Sequence, residues 1–236
     1  MFQPIKSTFL TVLLFLTLFS FHFSYSGNKE ENFYKSFYNK LNTPDISYIA
    51  FINGVKGYNK ICDSLKTKFN YLCIADFEKP STEKRFYIIN MTDTSVYHID
   101  YVAHGKNSGV LYAESFSNLP QSNQSSLGFY LVAEPYIGKH GYSLRLDGIE
   151  KGFNDNARKR AVVMHAAEYA EPEFINQTGR LGRSQGCPAM PSEGFKKVAS
   201  TIKEKSLLFI YYPNATYVTS SVWLKNIDQT NLANIK

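Results

Sequence analysis

Short runs of β-branched and aromatic residues, each closed by turn-forming ones, constrain this chain more than any other feature. Residues 85–91 ("RFYIINM") and 96–103 ("VYHIDYVA") are two such runs, separated by Thr92-Asp93-Thr94-Ser95, and predict a hairpin. Residues 128–134 ("GFYLVAE") and 142–149 ("YSLRLDGI") predict two more strands. In the second, Tyr142, Leu144 and Leu146 alternate with Ser143, Arg145 and Asp147, the pattern of a half-buried strand. Residues 160–169 ("RAVVMHAAEY") carry β-branched Val162 and Val163, which suggests a buried strand delivering His165 to the sheet edge. Residues 206–212 ("SLLFIYY") predict a last strand. The 17 tyrosines and 18 phenylalanines lean the same way, and 44% hydrophobic content supplies a core. Helical spacing is confined to two places. One lies between Ile46 and Phe69, broken by Gly54 and Gly57; the other sets Phe195, Val198, Ala199 and Ile202 on one face behind a Ser192 cap. The sum is a mainly antiparallel β-domain with a few short helices, of α+β class.

The flanks read differently. Lys6 followed by "FLTVLLFLTLF" and the small-x-small exit Ser24-Tyr25-Ser26 form a secretory pattern over residues 1–26. Uncleaved, the same segment would act as a membrane anchor; in both cases the remainder is expected outside the cytoplasm, in the periplasm or cell envelope. Residues 27–70 read as a linker and helical lead-in, with a short helix around Phe33 to Leu41. Residues 71–213 read as the main domain and 214–236 as a polar, loosely attached tail. The net charge of +6 suits an anionic partner such as a cell wall, membrane surface or nucleic acid. The basic residues are scattered, however, and no nucleic-acid fold signature is present, so the charge reads as solvated surface.

Export changes the meaning of three cysteines, because an odd number leaves one thiol over in an oxidising compartment. Cys62 and Cys73 could bridge and leave Cys187 free, or all three could stay reduced. Cys187 sits in "RSQGCPAMP", residues 183–191, a segment that suits neither regular helix nor regular strand. Gly186 permits a sharp turn, so the Gly186 and Cys187 amides could serve as oxyanion donors. Pro188 fixes its own φ and restricts Cys187 to extended geometry. A nucleophile loop and a small buried cysteine in a tight turn fit these local residues equally. Of the candidate bases His98, His104, His140 and His165, the last stands out. It ends an apolar strand 22 positions before Cys187, with a polar loop between.

The ordered set "VMHAAEYAEPEF…GRLGRSQGCPAMP", with "DFEKPSTEKRFYIIN", "VAHGKNSG" and "GKHGYSLRLDGIEKGFNDNARKRAVVMHA" upstream, resembles the murein L,D-transpeptidase catalytic-domain family, YkuD-like in the broad sense. The match runs over about residues 72–212, in an exported branch of that family. The resemblance implies a β-rich catalytic domain with Cys187 as nucleophile, His165 as general base, and Ser184 and Gly186 in the family's Ser-x-Gly-Cys turn. It implies peptidoglycan stem peptides as partners, attack on the L-centre carbonyl of the third stem residue, release of D-alanine, and transfer of the thioester to an amine. No cofactor or metal is called for. Two departures bear on substrate preference: Gln185 stands where many relatives carry histidine, and Pro188-Ala189-Met190 follows the cysteine.

Around this pair, Arg183 and Arg180 could bind a stem carboxylate through a bidentate fork. His104 and Ser108 could line the acceptor side, and His140 the cleft. Asn156 and Arg160 read as organisers of the approach to the His165 strand. Three other functions compete. Water as acceptor would make an L,D-carboxypeptidase or endopeptidase; a zinc peptidase is disfavoured by the absence of a His-Glu-x-x-His pair; a wall-binding module would leave Cys187 incidental.

Overall fold

The computed structural model describes residues 31–43 and 45–225; the secretory pattern of residues 1–26 lies outside them. The chain divides after Asn42 into two compact units. Residues 31–41 of the first form a helix, α1.

The second unit opens with α2 (Tyr48–Leu65), capped by Ser47, whose side chain accepts the Ala50 N–H. This helix runs straight through both glycines expected to break it. A Cβ on Gly57 would lie 2.1 Å from the Phe129 ring, and one on Gly54 2.9 Å from Ile74. The glycines are there because the helix presses close onto the sheet, not because it ends.

Eight strands follow: β1 (Tyr71–Asp76), β2 (Phe86–Asn90), β3 (Ser95–Asp100), β4 (Gly128–Gly138), β5 (Gly141–Gly148), β6 (Val163–Ala166), β7 (Ala189–Met190) and β8 (Ser206–Tyr211). They form one sheet in the order β3-β2-β1-β8-β4-β5-β6-β7. All neighbours are antiparallel except β1–β8 and β6–β7. The fold is therefore the mainly antiparallel α+β class that the sequence predicts. Bridges from Ala103 to Ala189 and from Gly105 to Ser184 bring the segment after β3 back to β7, so the sheet nearly closes on itself. The centre is strictly apolar: Leu72, Ile74, Leu208 and Phe209 are fully buried, and Phe129 stacks on Phe209 at 4.2 Å.

Several local readings differ. Strand β1 carries no alternation because both its faces are covered, so the pattern that found the other strands passes over it. The run at 160–169 yields only four strand residues, followed by a 3-10 turn (Glu168–Ala170) and an unpredicted helix, α3 (Pro172–Thr178). Helix α4 (Phe195–Ile202) buries the predicted face, but Gly194 rather than Ser192 occupies its cap. The tail is not loose as far as Lys225. Helix α5 (Ala215–Ser220) docks through Tyr217, whose hydroxyl donates to buried Glu150, as does that of Ser221. Glu150 also accepts the Phe129 N–H at 2.7 Å, so one buried carboxylate ties the C-terminal segment to β4. Cys62, Cys73 and Cys187 are all free thiols in this structure, the second of the two arrangements the sequence allowed. Cys73 lies in the buried strand β1 and Cys62 on α2.

Candidate active site

The loop between α3 and β7 is shaped by its own side chains. Gly186 has φ +120°, and a Cβ there would lie 2.7 Å from the Gln124 carbonyl oxygen, so the position admits only glycine without a shift. Ser184 Oγ accepts the Gly186 N–H at 3.0 Å and donates to the Cys187 carbonyl at 2.6 Å, closing the turn on itself. Pro188 then leads into β7, whose Ala189 pairs with His165. Cys187 thus stands in the loop two residues before Ala189, the partner of His165 on the neighbouring strand. Its sulfur accepts the Val163 N–H at 3.4 Å and faces the Ala161 carbonyl at 3.8 Å.

His165 is 1% exposed and held on both sides, by Ser143 of β5 and Ala189 of β7. Its Nδ1 lies 2.9 Å from the Ala166 carbonyl. A carbonyl only accepts, so Nδ1 carries the hydrogen and the lone pair of the neutral ring is on Nε2. The His140 ring stacks on His165 with centroids 4.1 Å apart and planes 17° off parallel, and Tyr169 meets it edge-on at 6.4 Å.

Cys187 and His165 line one cavity of about 500 Å³. Its wall carries the cations Lys139, Arg160 and Arg183 and the rings of Tyr136 and Tyr169, with no carboxylate among the described residues. Burial pushes the Cys187 thiol up, while the Val163 N–H, Arg160 and Lys139 pull it back. Burial also lowers the His165 pKa, and the Ala166 carbonyl opposes this; His140 and Lys139 lower it further. Both directions favour a resting pair of neutral thiol and neutral imidazole, the protonation states from which a general base can draw a proton.

The other predicted site residues divide. Ser184, Gly186, Arg183 and His140 are in the loop or on the cavity wall. Arg183 donates to the carbonyls of Lys106 and Gly109, which steadies it at the rim. The Gly186 amide is taken by Ser184, which corrects the expectation that it serves as an oxyanion donor; the Cys187 amide makes no hydrogen bond among the described residues. His104 is fully buried and off the cavity wall. Arg85 donates to its Nδ1 at 2.8 Å, and its Nε2 faces the Gly109 carbonyl at 3.3 Å, so it orders the interior rather than meeting substrate. Ser108 is likewise buried, its Oγ accepting the Ser125 N–H. Arg180 turns back onto the Leu181 carbonyl. His98 pairs with Asp100 on β3.

Two contributors, Tyr169 and Tyr136, escaped the sequence reading, and Arg160 was read too narrowly. Arg160 does more than organise: it is half-buried, donates to Ser117 O and Ser126 Oγ, and lends its charge to the Cys187 thiol. Tyr169 lies four residues beyond His165, a spacing that a strand end followed by a turn could have flagged. Tyr136 enters from β4, too far away in sequence for any local signal.

A family model described as the L,D-transpeptidase catalytic domain matches residues 42–211. No curated protein matches the chain. Among solved structures, it is similar to an L,D-transpeptidase from Mycobacterium smegmatis, with 13% identity over 62% of this chain and 60% of that one and a TM-score of 0.38. It is also similar to L,D-transpeptidase 3 from Mycobacterium tuberculosis, at 11% identity over 62% and 63% with a TM-score of 0.39. A third is Bd1075 of Bdellovibrio bacteriovorus, at 14% identity over 61% and 48%, also at 0.39. The chain spans less than two thirds of the length of each of these proteins, and the assignment rests on the family match alone. Carried by that match over most of the folded chain, the protein belongs to the L,D-transpeptidase catalytic-domain family.

Proposed function

We propose that the protein is a peptidoglycan L,D-transpeptidase that acts through an acyl-enzyme on Cys187. The observation that supports this best is the shared cavity: a thiol on the loop leading into β7 and an imidazole with a free Nε2 on the neighbouring strand β6, beneath cationic side chains. In this reading Nε2 of His165 takes the thiol proton as sulfur attacks the L-centre carbonyl of the third stem residue. The Cys187 N–H stabilises the oxyanion. The C–N bond to D-alanine breaks, His165 returns the proton to the leaving amine, and a thioester remains. The amine of a second stem then attacks the thioester, giving a 3–3 cross-link and the free thiol. Lys139, Arg160 and Arg183 suit the carboxylates that stem peptides carry. The reading puts the enzyme at work outside the cytoplasm, where such stems lie.

Incubation with disaccharide-tetrapeptides, followed by product masses, tests the reading. Dimer lacking one D-alanine supports transfer; tripeptide and free D-alanine support hydrolysis by the same residues. Turnover by Cys187→Ala equal to wild type would rule out both.

A further inference from the structure

Beside the catalytic pair, the cavity wall holds a second imidazole that the proposed chemistry does not use. His140 is one of two residues in the turn between β4 and β5, whose ends pair as Gly138 with Gly141. Gly141 has φ +73°, a left-handed glycine that closes the hairpin and aims His140 inward. The His140 ring lies face to face with that of His165 at 4.1 Å, yet the two environments are opposite. His165 is buried between strands, whereas His140 is exposed to solvent.

Two imidazoles in van der Waals contact cannot both be protonated cheaply, so the pair takes up one proton well before a second. That proton's charge is better hydrated on the exposed ring than on the buried one. No other group on the wall competes for it near neutrality. The wall's other bases are Lys139, Arg160 and Arg183, burial and the nearby Cys187 hold the Tyr169 hydroxyl protonated, and no carboxylate faces the stack among the described residues.

We infer that His140 is a positioning residue for His165: it fixes the plane of the base and accepts the first proton in its place, so His165 stays a free base on the acid side of neutrality. This rests on the proposed roles of Cys187 and His165. Burial and Lys139 lower the His140 pKa, as burial, His140 and Lys139 lower that of His165, so both rings are neutral at pH 7 and the sharing begins below it.

The test reads the thiol directly. Iodoacetamide alkylation of Cys187 is followed against pH in the full-length protein, with the Cys187 peptide resolved by mass from those of Cys62 and Cys73. His140→Phe keeps a ring in the stack but accepts no proton; His140→Ala removes both. For His140→Phe the acid limb of the alkylation profile should move up by roughly half to one pH unit, with its plateau retained. For His140→Ala the limb should move equally and the plateau should fall several-fold, as the base loses its fixed plane. An unshifted limb in His140→Phe overturns proton sharing, and an unchanged plateau in His140→Ala overturns positioning. Because alkylation needs no stem peptide, these results stand apart from the functional reading, which fails instead if Cys187→Ala turns over tetrapeptide as wild type does.

Discussion

Two buried histidines in this molecule look alike in the sequence and are opposites in the structure. His104 and His165 are 0% and 1% exposed, each follows a β-rich run, and each has an aromatic ring for company. The difference is the fate of their nitrogens. Arg85 donates to Nδ1 of His104, so the ring's hydrogen sits on Nε2 and is spent on the Gly109 carbonyl. Burial and the Arg85 charge together push the His104 pKa down to about 3. His165 commits only Nδ1 and faces a cavity shared with a thiol. Burial alone therefore does not make a histidine a base; an uncommitted nitrogen beside something to deprotonate does.

That contrast can be broken most forcefully by exchanging the consequences of mutation. His165→Ala should lower kcat/KM on stem tetrapeptides by about 10²–10⁴-fold, far more than its loss of stability can account for. His104→Gln should do the reverse, leaving turnover within a few-fold while costing about 1–3 kcal/mol in urea unfolding. Similar activity losses in both would erase the distinction. The support behind His104 should be costlier still to remove. Arg85 is fully buried and donates to Val102 O, Lys79 O and His104, so Arg85→Met strands all three acceptors. A loss of about 3–5 kcal/mol is expected, again by urea unfolding. Gly186→Ala, placing a methyl against Gln124 O at positive φ, should cost about 1–3 kcal/mol and lower activity as well, because the strain falls on the nucleophile's loop.

A finer test uses pH. In the folded protein His104 takes a proton only near pH 3, whereas in the unfolded chain it does so near its ordinary value of 6.5. Between these values the unfolded state binds the extra proton, so stability rises with pH across the window and the contribution is fully present above 6.5. The unfolding free energy of wild type minus that of His104→Gln should therefore shrink as pH falls from about 6.5 towards 3. A difference that stays flat would mean that His104 is protonated in the fold.

The strands with alternating or β-rich faces were legible in the sequence, as was the apolar face of α4, because one-sided burial leaves a periodic trace. Strand β1 left none, being covered on both faces, and Gly54 and Gly57 read as helix breaks when they mark close packing against Ile74 and Phe129. At the site, chemistry and spacing made Cys187 and His165 candidates, the family resemblance implied their roles, and both line one cavity. His104, Ser108 and Arg180 were set aside for a reason no local pattern carries: their polar atoms are bound within the protein by groups such as Arg85 and Ser125, or by the adjacent Leu181 carbonyl. The same holds in reverse for Arg160, whose value lies in reaching Ser117, Ser126 and the Cys187 field at once.

The central claim is that Cys187 carries the acyl group. Intact-mass measurement after mixing with a disaccharide-tetrapeptide tests it most directly, with His165→Ala and Cys187→Ala as companions. Wild type should show an added mass equal to the stem donor less D-alanine, formed far more slowly in His165→Ala and absent from Cys187→Ala. An adduct of that mass on Cys187→Ala, or undiminished turnover without Cys187, would contradict the account.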